Sequence, residues 1–248
     1  MKYNNNVTNS LKSYFYTSKL LGLLSKYIKP GINGLFLNEI ANKFIYENKL
    51  IPAFLNFNNY PYSICVSINN EIIHGIPNKK KFKNGDIVTI DCGVLYNNYY
   101  SDSAYTFPVG NIMKKNKQLL KVTKNSLYYA INKFKNSHLI NDIGNSIYKY
   151  ITNRKFNVVT NYCGHGIGKK LHMDPLIYNS KVINNIKIKP NTIISIEPIA
   201  TVGKPNNYIS NNKWTVKTLD KSFSAHYEHN ILVLNKGCKI LTTFKYIK

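Results

Sequence analysis

The chain has 248 residues, a formal net charge of +23 and 44% hydrophobic residues. Its length is sufficient for one domain with a large core or for two small domains. No stretch approaches the roughly 18 continuous apolar residues of a membrane span, and the opening MKYNNNVTNS lacks the apolar core of a signal peptide. The sequence therefore predicts a cytoplasmic protein that neither spans nor binds a membrane.

The positive charge raises the question of a nucleic-acid partner, because a basic surface is typical of phosphate binding. Arg154 is the only arginine among the 34 basic residues, although arginine is the residue suited to bidentate recognition of phosphates and bases. The lysines are scattered among many Asn, Ile and Tyr residues, a set that AT-rich codons supply. A coding bias and a non-specific affinity for RNA both remain open, and specific DNA binding is not expected.

The four cysteines lie far apart in the sequence and form no CxxC pair: Cys65, Cys92, Cys163 and Cys238. This spacing predicts neither a disulfide framework nor a structural zinc site. It is typical of a protein in a reducing compartment.

Apolar residues at helical spacing predict a first helix, with Leu20, Leu23, Leu24, Tyr27 and Ile28 on one face. The stretch LNEIANKF at 37–44 predicts a second helix with Asn38 as its N-cap. Short strands separated by Gly, Asn and Pro turns are expected to follow.

The same order recurs in the second half of the chain. A third predicted helix is marked by Leu120, Leu127, Ile131 and Phe134. INDIGNSI at 140–147 resembles LNEIANKF and predicts a fourth helix with Asn141 as N-cap. The repeat suggests one α+β domain over residues 1–248, with pseudo-symmetric halves at about 10–115 and 116–245 and a sheet curved around a central cleft. Chance similarity over eight residues is the alternative.

The stretch IVTIDCGVLYNNYYSDSAYTF at 87–107 predicts a β-hairpin that turns at Asn97 and Asn98. With an odd register sum, Asp91 and Asp102 fall on one face, either directly opposed or shifted diagonally by two residues. Two carboxylates roughly 4 Å apart repel by about 4 kcal/mol at an effective dielectric constant near 20. A shared proton, a nearby Lys or Arg, or a metal cation would offset this repulsion. A solvent-exposed hairpin edge would need no such partner.

Acidic residues are scarce, with only 11 in the chain. Four of them lie within apolar, strand-like runs, where an unpaired carboxylate is costly to bury: Asp91, Asp102, Glu197 and Glu228. Their placement suggests a common role at the seam between the halves.

The stretch YCGHGIGKKLHMDP adds His165 and His172. It matches no nucleotide-binding motif because Lys169 stands where a third glycine would be required. The glycines are expected to let the backbone bring a histidine close to a bulky or charged group. His165 and the four acids form a hard, oxygen-rich ligand set that carries more negative charge than one divalent ion needs, so two ions fit better.

Five stretches together resemble type I methionine aminopeptidases: SINNEIIHGIP, DIVTIDCG with Asp102 eleven residues on, YCGHGIGKKLHMDP, ISIEPIA and KWTVKTLDKSFSAHYEHNILVLNKGCKILT. The match runs in order from about Leu20 to Thr243. The resemblance implies an α+β pita-bread fold with pseudo-twofold halves around a curved antiparallel sheet. It also implies removal of the initiator methionine from nascent proteins with a small second residue.

The resemblance further implies a ligand set for two divalent ions drawn from Co, Mn, Fe(II), Zn and Ni. Asp91 would bind one metal, Asp102 and Glu228 would bridge both, and His165 and Glu197 would complete the second. The implied mechanism is attack by a metal-bridging hydroxide.

The same resemblance implies catalytic roles for His74, His172 and Glu197. Glu197 would move the proton, His172 would stabilise the oxyanion and His74 would hold the substrate. Residues matching the methionine pocket are Tyr60, Cys65 and Trp214, with Phe57 and Leu171 as further wall candidates; ordinary core packing is the alternative explanation for these side chains.

Three features depart from the family pattern. His226 stands where Gln is usual, and HMDP at 172–175 replaces HEEP. LNFNNYP at 55–61 lacks the usual glycines. None of these changes removes a predicted ligand, but each bears on pocket shape or metal preference.

Two alternatives were weighed against the methionine-specific enzyme. One is a proline-specific aminopeptidase of the same fold, whose usual extra N-terminal domain would not fit in the few residues before Leu20. The other is a homologue without activity that acts as a basic RNA- or ribosome-associated protein. All five predicted ligands are intact, which favours the enzyme. A monomer that contacts nascent chains, with transient ribosome association, is expected.

Overall fold

The protein is described by a computed structural model for residues 5–181 and 186–247. Residues 1–4, which belong to the opening stretch without a signal-peptide core, lie outside the described residues.

The first half of the chain consists of two helices followed by short strands. The elements are α1 (Asn5–Ser25), α2 (Gly34–Glu47), β1 (Ile51–Pro52), a 3₁₀ turn (Phe57–Asn59), β2 (Ile64–Ile68), β3 (Glu71–Ile73), β4 (Ile87–Tyr96) and β5 (Tyr99–Pro108).

The second half repeats the order of helices and strands. Its elements are α3 (Lys114–Ser137), α4 (Ile140–Thr152), β6 (Asn157–Val158), β7 (Cys163–Gly166), β8 (Met173–Tyr178), β9 (Ile193–Ile196), β10 (Ile199–Thr201), β11 (Asn207–Ile209), β12 (Val216–Thr218), β13 (Ser224–His226), β14 (His229–Val233) and β15 (Cys238–Ile240). The predicted succession of a helix pair and then strands, twice over, is confirmed.

The apolar faces of the helices form two separate cores. Leu20 and Leu37 of the first helix pair pack with Ile90 of β4. Phe134 and Ile143 of the second pair belong to a second cluster with the strands of the second half. No helix in the described ranges has the combined length and apolarity that crossing a bilayer requires.

Both predicted N-caps were wrong. The residue that caps α2 is Asn33, whose side chain accepts a hydrogen bond from Phe36 N at 3.0 Å. Asn38 lies inside the helix, buried, and accepts from Ser63 N at 3.0 Å. The hydrogen bond from Ser63 N thus offsets the cost of burying Asn38, a residue type that local propensity favours at a cap.

The other differences at helix ends are small. Asn141 lies inside α4, which is preceded by Leu139 at the N-cap position. The first helix ends at Ser25, so Tyr27 and Ile28, expected on its apolar face, follow it in a turn.

The predicted hairpin is present, and its register decides how its two acids meet. Asn97 and Asn98 have φ angles of 47° and 64°, as a two-residue type I′ turn requires. Asp91 pairs with Ala104, and Gly93 pairs with Asp102. The two acids therefore lie on one face in the diagonal arrangement, offset by two residues.

The remaining strands form antiparallel sheets, the largest of which has the order β15-β14-β9-β7-β8. A Cβ atom on Gly164 would clash with the carbonyl of Ser195, and one on Gly166 would clash with the carbonyl of Asp174. These two glycines permit close strand packing on both sides of His165, in agreement with the role expected for them.

The two halves meet along β5. Glu228 N donates to Ala104 O at 3.0 Å, and Ser103 Oγ donates to Glu228 O at 2.8 Å. Further along the strand, Thr106 Oγ1 donates to His226 O at 2.8 Å. These bonds hold residues 226–230 of the second half against the strand that contains Asp102.

Replacing Asn38 with Ala is expected to lower the free energy of unfolding by about 1–3 kcal/mol, because Ser63 N would lose its buried acceptor. Urea titration followed by circular dichroism measures the change. Glu39→Ala, at an exposed position of the same helix, is the control and should change stability by no more than about 0.5 kcal/mol. Equal stability of Asn38→Ala and the parent protein would contradict the tertiary role of this side chain.

Candidate metal centre and active site

Four carboxylates and one imidazole converge at the seam between the halves. Asp91 lies on β4 and Asp102 on β5, while His165 lies on β7. Glu197 follows β9, and Glu228 lies between β13 and β14. The two glutamates thus occupy breaks between strands, whereas the sequence pattern placed them within strands.

The distances show how close these groups are. His165 Nε2 lies 3.5 Å from Asp102 Oδ2 and 3.7 Å from Glu197 Oε1. One ligand atom each from His165, Glu197 and Glu228 lies within 4.8 Å of the others, and so does one each from Asp102, His165 and His172. Such spacing allows several side chains to bind one cation or a pair of cations.

Burial and neighbouring negative charge raise the pKa of three of the acids. Burial, followed by repulsion from Asp102, raises the pKa of Asp91 well above its usual range. Burial and the charges of Asp102 and Asp91 likewise raise the pKa of Glu197. Burial and the same neighbours raise the pKa of Glu228. Ionising the whole cluster is therefore unfavourable without a compensating positive charge.

Two of the acids have one oxygen occupied by a neutral donor. Asn230 Nδ2 donates to Asp102 Oδ1 at 2.7 Å, and Asn230 Oδ1 accepts from Asp102 N at 3.0 Å. Ser195 Oγ donates to Glu228 Oε1. These bonds fix the orientation of both carboxylates, as residues around metal ligands commonly do.

All ten predicted site residues line one cavity of about 370 Å³: Tyr60, Cys65, His74, Asp91, Asp102, His165, His172, Glu197, Trp214 and Glu228. The further wall candidates Phe57 and Leu171 line it as well, and so does His226. The cavity therefore joins the acid cluster to an apolar wall.

The apolar wall presents rings and a thiol. Tyr60 and Trp214 pack edge to face with centroids 5.0 Å apart. The Tyr60 hydroxyl is occupied by hydrogen bonds to Ile64 O and Gly75 O, so only its ring is left to contact a ligand. Cys65 pairs directly with Asp91 in the β2–β4 ladder. That register places the wall against the acids.

Two histidines flank the acids. His172 packs on His165 with centroids 4.3 Å apart and on Phe57 at 5.0 Å. Loss of water around the ring and the neighbouring His165 lower the pKa of His172 to about 4. Burial and His172 also lower the pKa of His74 to about 4. Both rings are consequently neutral near pH 7 and each can donate one N–H.

The backbone at His74 adopts a left-handed conformation with φ of 54°. Its ring contacts those of Tyr162 and Trp214 edge to face, at 6.1 and 6.3 Å. Left-handed residues other than glycine are uncommon and concentrate at functional sites. The sequence alone contained no sign of this feature.

Several residues that line the cavity were missed, among them Phe54, Tyr162 and Cys163. Cys163 stands two positions before His165 on β7, so strand alternation places it on the same face. That alternation was the available signal. All four cysteines are free, as the spacing predicted.

The model of metallopeptidase family M24 matches residues 16–235. The chain belongs to metallopeptidase family M24. Methionine aminopeptidase 1 of Bacillus subtilis (strain 168) is 42% identical over 220 residues, which cover 88% of this chain and 89% of that protein. The resemblance drawn from the sequence motifs is therefore confirmed.

Solved structures confirm the fold. The crystal structure of methionine aminopeptidase from Rickettsia prowazekii superposes with a TM-score of 0.93 at 34% identity, covering 98% of this chain and 99% of that one. Prolidase from Pyrococcus furiosus gives 0.79 at 20% identity, covering 98% of this chain and 65% of that one. The predicted α+β pita-bread fold is correct.

Membership of M24 implies divalent metal ions, and the residues present fit them. Asp91 Oδ1 is buried with no hydrogen-bond partner among the described residues. No lysine or arginine is among the described residues that line the cavity. A lysine or arginine therefore does not offset the repulsion between Asp91 and Asp102. The donor set of carboxylates and imidazole suits a divalent cation.

Replacing Asp91 with Asn is expected to stabilise the metal-free protein, and the gain should grow as the pH rises above about 4. An unfolded aspartate loses its proton near pH 4, whereas burial and Asp102 raise the pKa in the folded protein. Ionisation therefore favours the unfolded parent chain by up to about 1.4 kcal/mol per pH unit, and the variant escapes this loss.

Urea unfolding of chelator-treated protein at pH 5, 6, 7 and 8 measures this gain. Asp142→Asn, the same change in the first turn of α4, is the control and should show no such trend. A difference between Asp91→Asn and the parent protein that is independent of pH would contradict the repulsion.

Proposed function

We propose that this chain is a metal-dependent aminopeptidase that removes the N-terminal methionine from nascent proteins whose second residue is small. The observation that supports it is the joining of a carboxylate and imidazole cluster to an apolar wall within one cavity. The curated relatives that share the family and nearly the full length are named methionine aminopeptidase. The activity is assigned to a single catalytic domain.

We assign two divalent cations to the acid cluster. Asp91 would hold one cation, Asp102 and Glu228 would serve both, and His165 and Glu197 would hold the second. Four carboxylates balance the charge of two divalent ions, which removes the repulsion described above. When bound, such ions polarise the scissile carbonyl and lower the pKa of water toward neutrality. Co, Mn, Fe(II), Zn and Ni are all compatible with the donor set.

The side chains around the cluster move protons and orient the substrate. Glu197 accepts a proton from the attacking water and returns it to the leaving amine. Burial raises the pKa of this carboxylate, which favours its role as a base. His172 is neutral and donates an N–H to the oxygen on which negative charge develops. His74, fixed in its left-handed conformation, donates to the backbone of the substrate.

The apolar wall selects the first side chain. Trp214 and Tyr60 offer ring edges, and Cys65 offers sulfur, a combination suited to the flexible and polarisable thioether of methionine. Because Cys65 and Asp91 are opposed in one ladder, a side chain held by the wall brings its own amino group to the acids. The free α-amino group is therefore part of recognition, which makes the enzyme an exopeptidase.

The two alternatives are less favoured. The likeness to prolidase, at 20% identity, extends to the fold alone. A homologue without activity would be expected to lack ligands, yet all five ligand-type side chains meet at the cavity. The excess of 34 basic over 11 acidic residues suits transient contact with ribosomal RNA during synthesis. We propose a cytoplasmic monomer in that setting.

Peptides distinguish these activities. Chelator-treated protein supplied with Mn, Fe(II) or Co is expected to release methionine from Met-Ala peptides and little from Met-Lys peptides, as the resemblance to methionine aminopeptidases implies. Liquid chromatography of the products measures the release, and the chelator-treated protein without added metal is the control. Cleavage of Xaa-Pro peptides in place of Met-Ala would contradict the proposal.

A further inference from the structure

His226 lies in the cavity with both ring nitrogens unused. The residue is 2% exposed, and neither Nδ1 nor Nε2 has a hydrogen-bond partner among the described residues. A buried polar group without a partner is costly, so each such group in a folded protein calls for an explanation. This residue also stands where the sequence pattern of the family led us to expect glutamine.

The backbone at His226 is firmly held. Its N–H donates to Thr106 Oγ1 at 2.9 Å, and its carbonyl accepts from the same hydroxyl at 2.8 Å. It also pairs with Ile199 in the β10–β13 ladder. The ring thus projects from a well-anchored strand, so backbone flexibility does not explain why its nitrogens lack hydrogen-bond partners.

The atom that faces the ring is a carboxylate oxygen. His226 Nε2 lies 3.6 Å from Glu197 Oε2, while His165 Nε2 lies 3.7 Å from Oε1 of the same group. A movement of about 0.5 Å would bring His226 within hydrogen-bonding distance of Oε2. Glu197 therefore lies between two imidazoles, one on each oxygen.

Two other acids of the cluster, Asp102 and Glu228, already have such a hydrogen bond. Asn230 donates to one oxygen of Asp102, and Ser195 donates to one oxygen of Glu228. In each case a neutral donor holds one oxygen and leaves the other for the centre of the site. His226 occupies the corresponding position beside Glu197.

We propose that His226 is a positioning residue that donates Nε2–H to Glu197 Oε2 and keeps Oε1 directed at the metal centre. The proposal rests on the metal centre of the proposed function. In it, His226 binds no metal but orients the ligand Glu197. An imidazole ring carries at least one N–H whatever its charge, so His226 has a proton to donate.

A hydrogen-bond donor, and not an imidazole as such, is what this role requires. Glutamine can also donate an N–H from a side chain of similar reach, whereas leucine fills the space without a donor. Loss of a group that orients a metal ligand commonly costs about 10- to 100-fold in metal affinity. His226→Gln should therefore keep the metal affinity of the parent protein, and His226→Leu should lose part of it.

The experiment measures binding of Mn²⁺ and of Co²⁺ alone to chelator-treated protein, by competition with a chromophoric chelator. His226→Leu is expected to bind each ion about 10- to 100-fold more weakly than the parent protein, and His226→Gln within about threefold of it. His138→Gln is the matched control, because it makes the same change at a buried histidine whose Nε2 bonds to Gly237 O outside the cavity. It should leave metal affinity unchanged.

Circular dichroism first establishes that each metal-free variant is folded, and His226→Met replaces His226→Leu if the latter does not fold. Parent-like affinity in the apolar variant would overturn the positioning role. So would a loss in His226→Gln as large as that in His226→Leu. If the parent protein itself binds neither ion, the metal centre of the proposed function fails, and this result is distinct from failure of the His226 proposal.

Discussion

Mutual repulsion among four buried or half-buried carboxylates is the constraint on which the rest of this structure depends. Asp91 and Asp102 lie diagonally across one hairpin, and the backbone bond from Glu228 N to Ala104 O brings a third acid against the same strand. A protein that gains only about 5–15 kcal/mol from folding cannot hold such a group of charges without compensation. Bound protons or bound cations must therefore offset the repulsion.

The fold meets this constraint by dividing the acids between two rigid halves. On each side of the seam, a helix pair packs its apolar face against strands. The same arrangement places the apolar wall beside the acids, because Cys65 and Asp91 are neighbours in one ladder. In the proposed function, recognition of the first side chain and reaction at its amino end would therefore involve the same pair of strands.

The sequence was sufficient to predict the hairpin, its turn at Asn97 and Asn98, and the grouping of four acids with His165. These features follow from short-range patterns: alternation along strands, two asparagines at a turn, and acids placed in apolar runs. The family resemblance then supplied His74, which no pattern in the residues singled out.

Other features could not be predicted, for physical reasons. Asn38 has the local preference of a cap, but its hydrogen bond to Ser63 N depends on packing between segments distant in sequence. Asn230 reaches Asp102 across the seam between the halves, and no local pattern contains that information. The left-handed backbone at His74 likewise depends on the rings packed around it.

Anomalous diffraction from crystals grown with manganese tests the central claim most directly. The account predicts two manganese peaks inside the cavity, each within coordination distance of carboxylate oxygens from both halves of the chain, with Asp102 and Glu228 contacting both ions. Crystals of folded protein grown at saturating manganese that show no peak among the four carboxylates, or peaks only elsewhere on the surface, would contradict it.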